Sequence, residues 1–148
     1  MDVNKIVVNN RKAYHDYEIL EEYEAGLVLK GAEVKSLRES KASIQDSFCK
    51  IQNGEIFIYN MHIAPYEHSG SFKYPSKRPR KLLLHKKEIN RLLGRTTQRG
   101  LTIIPLKVYF NKKGLAKISI GLAKKRKTQD KKEYLKRKDL DRQLRQEI

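Results

Sequence analysis

Two alternating apolar runs restrict the fold more than any other feature of this sequence. Apolar side chains occupy every second position from 104 to 110 and again from 116 to 122, and the turn-like residues 111–114 separate the runs. A period of two places these side chains on one face of a strand, so the pattern predicts an antiparallel hairpin with one buried face. The other face of the second strand is predicted to be wet and basic; it carries Lys117, Ser119 and Gly121.

Other segments extend the β pattern and add short helices. Residues 48–61 form two β-rich runs around Asn53-Gly54, a dipeptide that suits a type I′ hairpin turn. Residues 16–29 alternate as a further strand, whereas 30–39 and 86–99 have helical spacing. The sequence therefore predicts a mainly β fold with antiparallel strands and short helices. A closed or nearly closed small barrel is favoured, because closure leaves fewer strand edges open.

The chain divides into a body, residues 1–122, and a basic tail, residues 123–148. The tail holds eleven Lys and Arg residues against five Asp and Glu. A helix would align Leu140, Leu144 and Ile148 in one narrow stripe, which is too thin to bury much area. We therefore expect the tail to be disordered when free and to become helical on a polyanionic partner.

Charge and composition narrow the classes of partner. The formal net charge is +16, and the body and the tail share it, which favours nucleic acid or an anionic membrane surface. No apolar run approaches the roughly 20 residues of a membrane-spanning helix. The N-terminus lacks the pattern of a signal peptide, and Cys49 is the single cysteine, which fits a reducing compartment. The expectation is a soluble cytoplasmic protein without a membrane partner.

Basic clusters with neighbouring rings point to nucleic acid. Lys and Arg neutralise phosphates and release counterions, and an adjacent Tyr or His can stack on unpaired bases. Tyr14 and His15 follow the first cluster. The clusters lie at 9–12, 35–38, 77–81 with 86–87, and 124–127.

Catalytic and metal sites are poorly supported. The four histidines have no spacing that pairs them, and Cys49 has no electropositive neighbour in sequence. One Cys and scattered His give no zinc pattern, and neither common phosphate-binding glycine loop is present. Glu21, Glu22 and Glu24 are interpreted as an exposed strand edge. The sequence predicts no enzymatic activity, no cofactor and no metal.

Five motifs, in order over nearly the whole chain, resemble those of the SsrA-binding protein family, also called small protein B. They are 10–17 (NRKAYHDY), 23–26 (YEAG), 31–38 (GAEVKSLR), 80–86 (RKLLLHK) and 121–124 (GLAK). The resemblance implies an oligonucleotide-binding (OB)-type β-barrel with two or three short helices that holds the tRNA-like domain of transfer-messenger RNA. It further implies entry into a stalled 70S ribosome, with the tail in the empty decoding centre and mRNA channel of the 30S subunit. Elongation factor Tu and alanyl-tRNA synthetase are implied as indirect partners through the aminoacylated RNA, and the family has no catalytic residues.

The resemblance also implies particular contacts. Glu24 would shape the RNA surface, because a carboxylate accepts a base amino group or a 2′-hydroxyl; the alternative is a structural acid. Arg38 would face phosphate or pair with Glu33 or Glu39, and the leucines at 82–84 are expected in the core. The implied RNA contacts are Asn10, Arg11, Lys12, His15, Glu24, Lys35, Arg38, Arg80, Lys81, His85, Lys86 and Lys124.

The tail departs from the family pattern twice, because 124–132 lacks both the glycine of the usual Lys-Gly-Lys-Lys run and the ring that commonly follows it. Gln129 stands where relatives commonly have an aromatic ring or His, so charge and induced helix must carry more of the tail's work. A generic basic RNA-binding or ribosome-associated protein and an RNA-processing enzyme are the alternatives. The residues implied to contact the ribosome are Lys125, Arg126, Lys127, Asp130, Lys131, Lys132, Tyr134, Leu140 and Leu144.

Overall fold

A computed structural model describes residues 5–68, 74–98 and 100–146 of the protein. The prediction of a mainly β fold with short helices is confirmed, since the body contains nine strands and three short helices among the residues described. In chain order the elements are β1 (Lys5–Asn9), α1 (Arg11–Asp16), β2 (Tyr17–Leu27), α2 (Gly31–Arg38), β3 (Ala42–Ser43), β4 (Phe48–Gln52), β5 (Glu55–Tyr59), β6 (His62–Ile63), β7 (Arg80–Leu83), α3 (Lys86–Thr96), β8 (Leu101–Phe110), β9 (Ala116–Lys125) and α4 (Thr128–Gln146).

The main sheet closes on itself as an antiparallel barrel. Strand β8 pairs with β9 along one edge, and its other edge is shared between β4 and β1. The ring then continues from β4 through β5, β7 and β2 back to β9. This closure confirms the predicted OB-type barrel, and it leaves β1 as an added strand beside the second half of β8.

Both predicted hairpins are present with the expected turn chemistry. Asn53 and Gly54 join β4 to β5 with φ angles of 53° and 76°, and a type I′ turn needs positive φ at both central residues. Between β8 and β9, the Asn111 side-chain oxygen accepts hydrogen bonds from the backbone N–H groups of Lys113 (3.0 Å) and Leu115 (2.9 Å). The local sequence therefore sets the strand pairing in both places.

The prediction of a wet outer face on β9 is wrong beyond Lys117. Ser119 is only 6% exposed, and a Cβ added to Gly121 would lie 3.1 Å from side-chain carbons of both Ile19 and Leu106. Helix α1 and strand β2 cover this part of the sheet and create a second small core. That core consists of Ala13, Ile104, Leu106 and Ala123, with Tyr17 and Ile19 packed against it.

The end of the body differs slightly from the sequence division. Strand β9 continues to Lys125, three residues past the predicted boundary, and Ala123 is fully buried. Helix α4 follows after Arg126 and Lys127. The expected coupling of tail helix to the ribosome stays a prediction. The side chains of Asp130 and Leu144, and residue 148, lie outside the part of the chain that is described.

Candidate nucleic-acid interface

Helix α1 places cationic side chains on the outer face of the barrel. Ala13 packs into the second core, so Arg11 and Lys12 on the opposite side of the helix are exposed. The prediction that Asn10 contacts RNA is wrong, because its side chain is 7% exposed and its Nδ2 donates to the Pro105 carbonyl at 2.9 Å. Asn10 instead fixes the start of α1 on β8, which sets where the neighbouring cations point.

A groove of about 520 Å³ lies on the same outer face, and Glu22, which lines it, accepts a hydrogen bond from Tyr14 of α1. Glu24 is exposed in it and accepts a hydrogen bond from the Tyr109 hydroxyl. Burial and this hydrogen bond raise the pKa of Tyr109 well above its usual value, so the phenol remains the donor. The Lys107 ammonium lies 5.9 Å from the centroid of the Tyr109 ring. Glu24 is thus an oriented acceptor inside a groove that also offers a cation.

Lysines flank Glu24 on its other side. A second groove of about 450 Å³ runs from Glu24 to the β8–β9 turn and is lined by Lys112, Lys113 and Lys117. The sequence analysis missed Lys107, Tyr109 and these turn lysines as site residues. No sequence pattern groups these residues with Glu24, because their proximity depends on the register of the strands. In that register, Glu24 of β2 lies opposite Ser119 of β9.

Strand β7 continues the outer face past Glu24. Gly26 of β2 pairs with Leu83, and Lys81 shares the parity of Leu83 and is exposed beside Glu55, its ion-pair partner. Leu83 is 55% exposed, so the expectation that all three leucines are core is wrong at this position, whereas Leu82 is buried. An apolar side chain therefore stands among the cations of this surface.

Arg80 is not on that surface, and its prediction as an RNA contact is wrong. It is 1% exposed because β7 alternates, and position 80 has the inward parity of Leu82. Its guanidinium donates to Glu33 Oε2 (2.8 Å), to the Met61 carbonyl (2.7 Å) and to the Ser76 carbonyl (3.1 Å). Those contacts occupy Arg80 within the protein.

Glu33 is the centre of this buried cluster. Its oxygens also accept from Arg78 and from the Lys30 backbone N–H (2.9 Å). Burial by itself would raise the pKa of Glu33, but the hydrogen bonds from Arg78, Lys30 and Arg80 outweigh it and lower the pKa. The cluster ties α2 to the segment before β7, and the suggested pairing of Arg38 with Glu33 is wrong because Arg78 and Arg80 hold that carboxylate.

The predicted cations of α2 lie over aromatic rings. The Lys35 ammonium is 5.4 Å from the centroid of Tyr66, and the Arg38 guanidinium carbon is 5.6 Å from that of Phe110. Both side chains are exposed. Neither Lys35 nor Arg38 lines the grooves around Glu24.

The start of α3 presents two more predicted contacts. His85 and Lys86 are exposed, and the His85 backbone N–H donates to Glu88 Oε1 at 3.3 Å, which fixes the first turn of the helix. His85 and Lys86 come soon after β7 in the chain, so they extend the outer surface formed by the exposed β7 positions Lys81 and Leu83.

A partly exposed ion cluster holds the rest of α3 against the barrel, with the Arg91 side chain 61% and the Glu21 side chain 20% exposed. Glu21 accepts from Arg91 at 3.1 Å and 3.2 Å and from Arg95. Hydrogen bonds from Arg91 and Tyr23 and the charges of both arginines lower the pKa of Glu21 to about 2. Its interpretation as an exposed strand edge is therefore wrong, although Glu22 and Glu24 are exposed.

The predicted tail residues begin where β9 ends. Lys124, Lys125, Lys127 and Lys132 are exposed, and Leu140 is 56% exposed. Arg126, Lys131 and Tyr134 instead make contacts with each other or with α1. Among the residues described, no helix combines the length and apolar character that crossing a membrane requires.

Comparison with known proteins gives a consistent result. A family model described as SmpB protein matches residues 7–148. An SsrA-binding protein of Carboxydothermus hydrogenoformans is 55% identical over 142 residues, which span 96% of this chain and 95% of the relative. The SsrA-binding protein of Enterococcus faecalis is 54% identical over 140 residues, spanning 95% and 90% of the two chains. A chain from a solved structure, "tmRNA-SmpB: a journey to the center of the bacterial ribosome", is similar with a TM-score of 0.69 and 53% identity, over 81% of this chain and 84% of that one.

Proposed function

Because this chain belongs to the SmpB protein family, we propose that it binds transfer-messenger RNA and brings it to stalled ribosomes for trans-translation. The observation that carries the proposal is the outer face of the barrel, where α1, the Glu24 groove and the exposed positions of β7 adjoin one another. The protein acts without catalysis, and its place of action is the cytoplasm, where ribosomes stall.

The outer face suits a folded RNA better than a simple polyanion. The α1 cations and the turn lysines neutralise phosphates at two ends of the surface. Between them, Glu24 accepts from a 2′-hydroxyl or a base amino group, and the Tyr109 hydroxyl holds its carboxylate in place. A carboxylate repels phosphate, so Glu24 strengthens binding only to an RNA whose shape brings a hydrogen-bond donor to this carboxylate. Glu24 therefore adds affinity for such an RNA alone, and this difference makes binding selective.

The tail supplies a separate activity in this proposal. Its exposed cations, which include Lys125, Lys127 and Lys132, contact the decoding centre and the empty mRNA channel of the 30S subunit. Elongation factor Tu and alanyl-tRNA synthetase associate indirectly, through the aminoacylated RNA. In this proposal the barrel recognises the RNA, and the tail recognises the empty mRNA channel of the stalled ribosome.

Competition binding tests the proposal. Labelled transfer-messenger RNA is bound to the full chain and challenged with excess tRNA or rRNA fragments. We expect neither competitor to displace it at tenfold excess. Displacement by both would favour a generic basic RNA-binding protein, and RNA cleavage that is lost when a histidine is replaced would favour a processing enzyme.

Glu24→Gln with Glu22→Gln as a matched control tests the selectivity argument. Both glutamates line the same groove, both changes remove one negative charge, and each carboxylate accepts a hydrogen bond from a tyrosine, Tyr109 for Glu24 and Tyr14 for Glu22, so the two variants differ mainly in the position of the lost charge. Glu24→Gln should reduce the preference for transfer-messenger RNA over tRNA, while Glu22→Gln should leave it intact. Equal effects of the two changes would mean that only charge matters in the groove.

A further inference from the structure

Strands β4 and β5 present an outer face that lies beyond β7 and apart from the Glu24 groove. Inward parity buries Cys49, Ile56 and Ile58, so the residues between them point out of the barrel. Helices α1, α2 and α3 pack mainly on other strands, namely β2, β6 and β8. The outward residues are Phe48, Lys50, Gln52, Glu55, Phe57 and Tyr59.

The strand register places rings and lysines side by side on this face. Phe57 of β5 lies opposite Lys50 of β4 on one side and opposite Lys81 of β7 on the other. Two residues further along β5, Tyr59 lies opposite Phe48. Their rings are stacked, with centroids 5.6 Å apart and planes 16° from parallel. The face therefore combines three rings with cations on two neighbouring strands.

Cross-strand packing explains the Phe48–Tyr59 pair but not Phe57. Aromatic pairs across strands stabilise a sheet, and Phe48 and Tyr59 form such a pair. Phe57 has lysines as its cross-strand neighbours and, among the residues described, no ring in contact with it. Its half-buried ring belongs to neither hydrophobic core. A ring flanked by ammonium groups suits a base that stacks while its phosphates meet the cations.

Lys50 supplies the charge that this face can give to a phosphate. Lys81 is paired with Glu55, which offsets its charge. Lys50 is exposed, its ammonium lies 5.5 Å from the centroid of the Phe48 ring, and no carboxylate in the described part of the chain pairs with it. An unpaired nucleotide complements this arrangement, because it carries both a phosphate and a base with an open flat side. Bases inside a duplex stack on one another instead.

We propose that Phe48, Lys50, Phe57 and Tyr59 form a stacking surface for an unpaired segment of the RNA whose folded part occupies the Glu24 groove. The identity of that RNA rests on the proposed function. The two sites are continuous, since the backbone N–H of Val28, just after β2, donates to the Lys81 carbonyl at 3.0 Å. Phe57 lies about four residues along the strands and two strands across from Glu24, which is roughly 15–20 Å. One RNA molecule can therefore contact both sites.

A single tryptophan reports stacking directly, because the natural chain contains none. Phe57→Trp places an indole on the stacking surface. Leu93→Trp is the matched control, because Leu93 on α3 is 45% exposed and lines neither groove beside Glu24. Both full-length variants are titrated with single-stranded oligouridylate, with an RNA duplex of the same length and with transfer-messenger RNA.

We expect oligouridylate and transfer-messenger RNA to quench the fluorescence of Phe57→Trp but not that of Leu93→Trp. The duplex should quench neither, because its bases are already stacked. Equal quenching of the two variants, equal quenching by single strand and duplex, or no quenching of Phe57→Trp by transfer-messenger RNA would overturn the stacking surface.

Other occupants of the face give different results. Fluorescence of Phe57→Trp that depends on protein concentration without RNA would mean that a second copy of the chain covers the face. Fluorescence that responds to RNA-free proteins of the 30S subunit, and to no RNA, would assign the face to a protein partner. Either result would overturn the proposal.

Phe57→Leu separates stacking from apolar packing, because it keeps an apolar side chain but removes the ring. The affinity for transfer-messenger RNA should fall about tenfold, within the range for one lost base–aromatic stack, while Phe57→Trp should bind like the parent. Thermal unfolding of each variant shows whether the fold is retained. If Phe57→Leu unfolds, the quenching of Phe57→Trp decides the question.

Competition by tRNA on the parent protein separates this inference from the proposed function. A parent that prefers transfer-messenger RNA, together with a folded Phe57→Leu variant of unchanged affinity, refutes the stacking surface and spares the function. A parent that binds this RNA no tighter than tRNA refutes the function, and the oligouridylate titration then decides whether unpaired bases stack at Phe57.

Discussion

Replacing Arg80 by Met should destabilise the protein without removing an RNA contact. Met fills a similar volume but leaves Glu33 Oε2 and the carbonyls of Met61 and Ser76 without the Arg80 donors that lie 2.7–3.1 Å away. Breaking a buried ion pair by removing one partner costs about 3–5 kcal/mol. Arg78 still reaches Glu33, so the lower half of that range applies. The expected loss of unfolding free energy is about 3–4 kcal/mol.

Lys81→Met is the matched control, because its position is adjacent but faces outward. The Lys81 and Glu55 side chains are 43% and 46% exposed, and such surface pairs contribute about 0–1 kcal/mol. Urea unfolding followed by circular dichroism should therefore separate the two variants, and the Tm of the Arg80 variant should fall by about 10 °C, at roughly 3 °C per kcal/mol for a chain of this size.

RNA affinity should rank the same two variants in the opposite order. Lys81→Met removes an outward cation and should weaken binding, whereas folded Arg80→Met protein should bind at near-parent strength. An Arg80→Met protein with parent-like stability and a loss of RNA affinity larger than that of Lys81→Met would refute the assignment of Arg80 to the buried cluster.

Three further predictions concern other parts of the molecule. The pKa of Glu21 is about 2 in the folded protein against 4.5 ordinarily, so its stabilising effect is present above pH 4.5 and is lost as the pH falls toward 2. The Tm difference between the parent and Glu21→Gln should therefore shrink between pH 4.5 and pH 2. A Tm difference that stays constant would contradict the ion cluster. Deleting 128–148 should spare RNA affinity and abolish tagging on stalled ribosomes. Deleting 123–148 should also lower the Tm, because it removes the buried Ala123 and the end of β9. Tagging that is retained after the shorter deletion would refute the proposed role of the tail. Tyr109→Phe removes the donor that orients Glu24 and should weaken transfer-messenger RNA binding about tenfold, the effect of roughly 1.4 kcal/mol, in a filter-binding assay; unchanged affinity would show that the orientation is unimportant.

Local patterns were reliable wherever a feature depends on residues close in sequence. The Asn53-Gly54 turn and the alternation in 116–122 follow from backbone sterics and side-chain parity, and both hairpins form as predicted. The prediction that 104–110 has one buried face is wrong, because a register shift between Pro105 and Lys107 places Ile104 and Leu106 in the second core while Val108 and Phe110 face the main one. Residues of α1 and β2 hide part of the predicted wet face of β9. The sequence could not show this, because the covering residues lie about a hundred positions away.

Whether each charged residue is buried in an ion pair or exposed to solvent was harder to predict than the overall basic character of the chain. Arg80 and Lys81 are neighbours in one basic run, yet the first is buried against a glutamate 47 residues away and the second is exposed. Glu21 meets Arg91 across 70 residues, while Glu24 of the same acidic run lies in the groove. Strand parity separates such neighbours, but partners distant in sequence decide what each one does.

The amino-acid sequence by itself determined the strand pattern, the basic character and, through five motifs, the family resemblance that the comparisons confirm. It did so because these are local properties of short segments. Only the tertiary structure decided which cations are buried, which face α1 covers, and that the tail begins against Asp16. These depend on barrel closure, which brings distant segments within the few ångströms over which hydrogen bonds and ion pairs act.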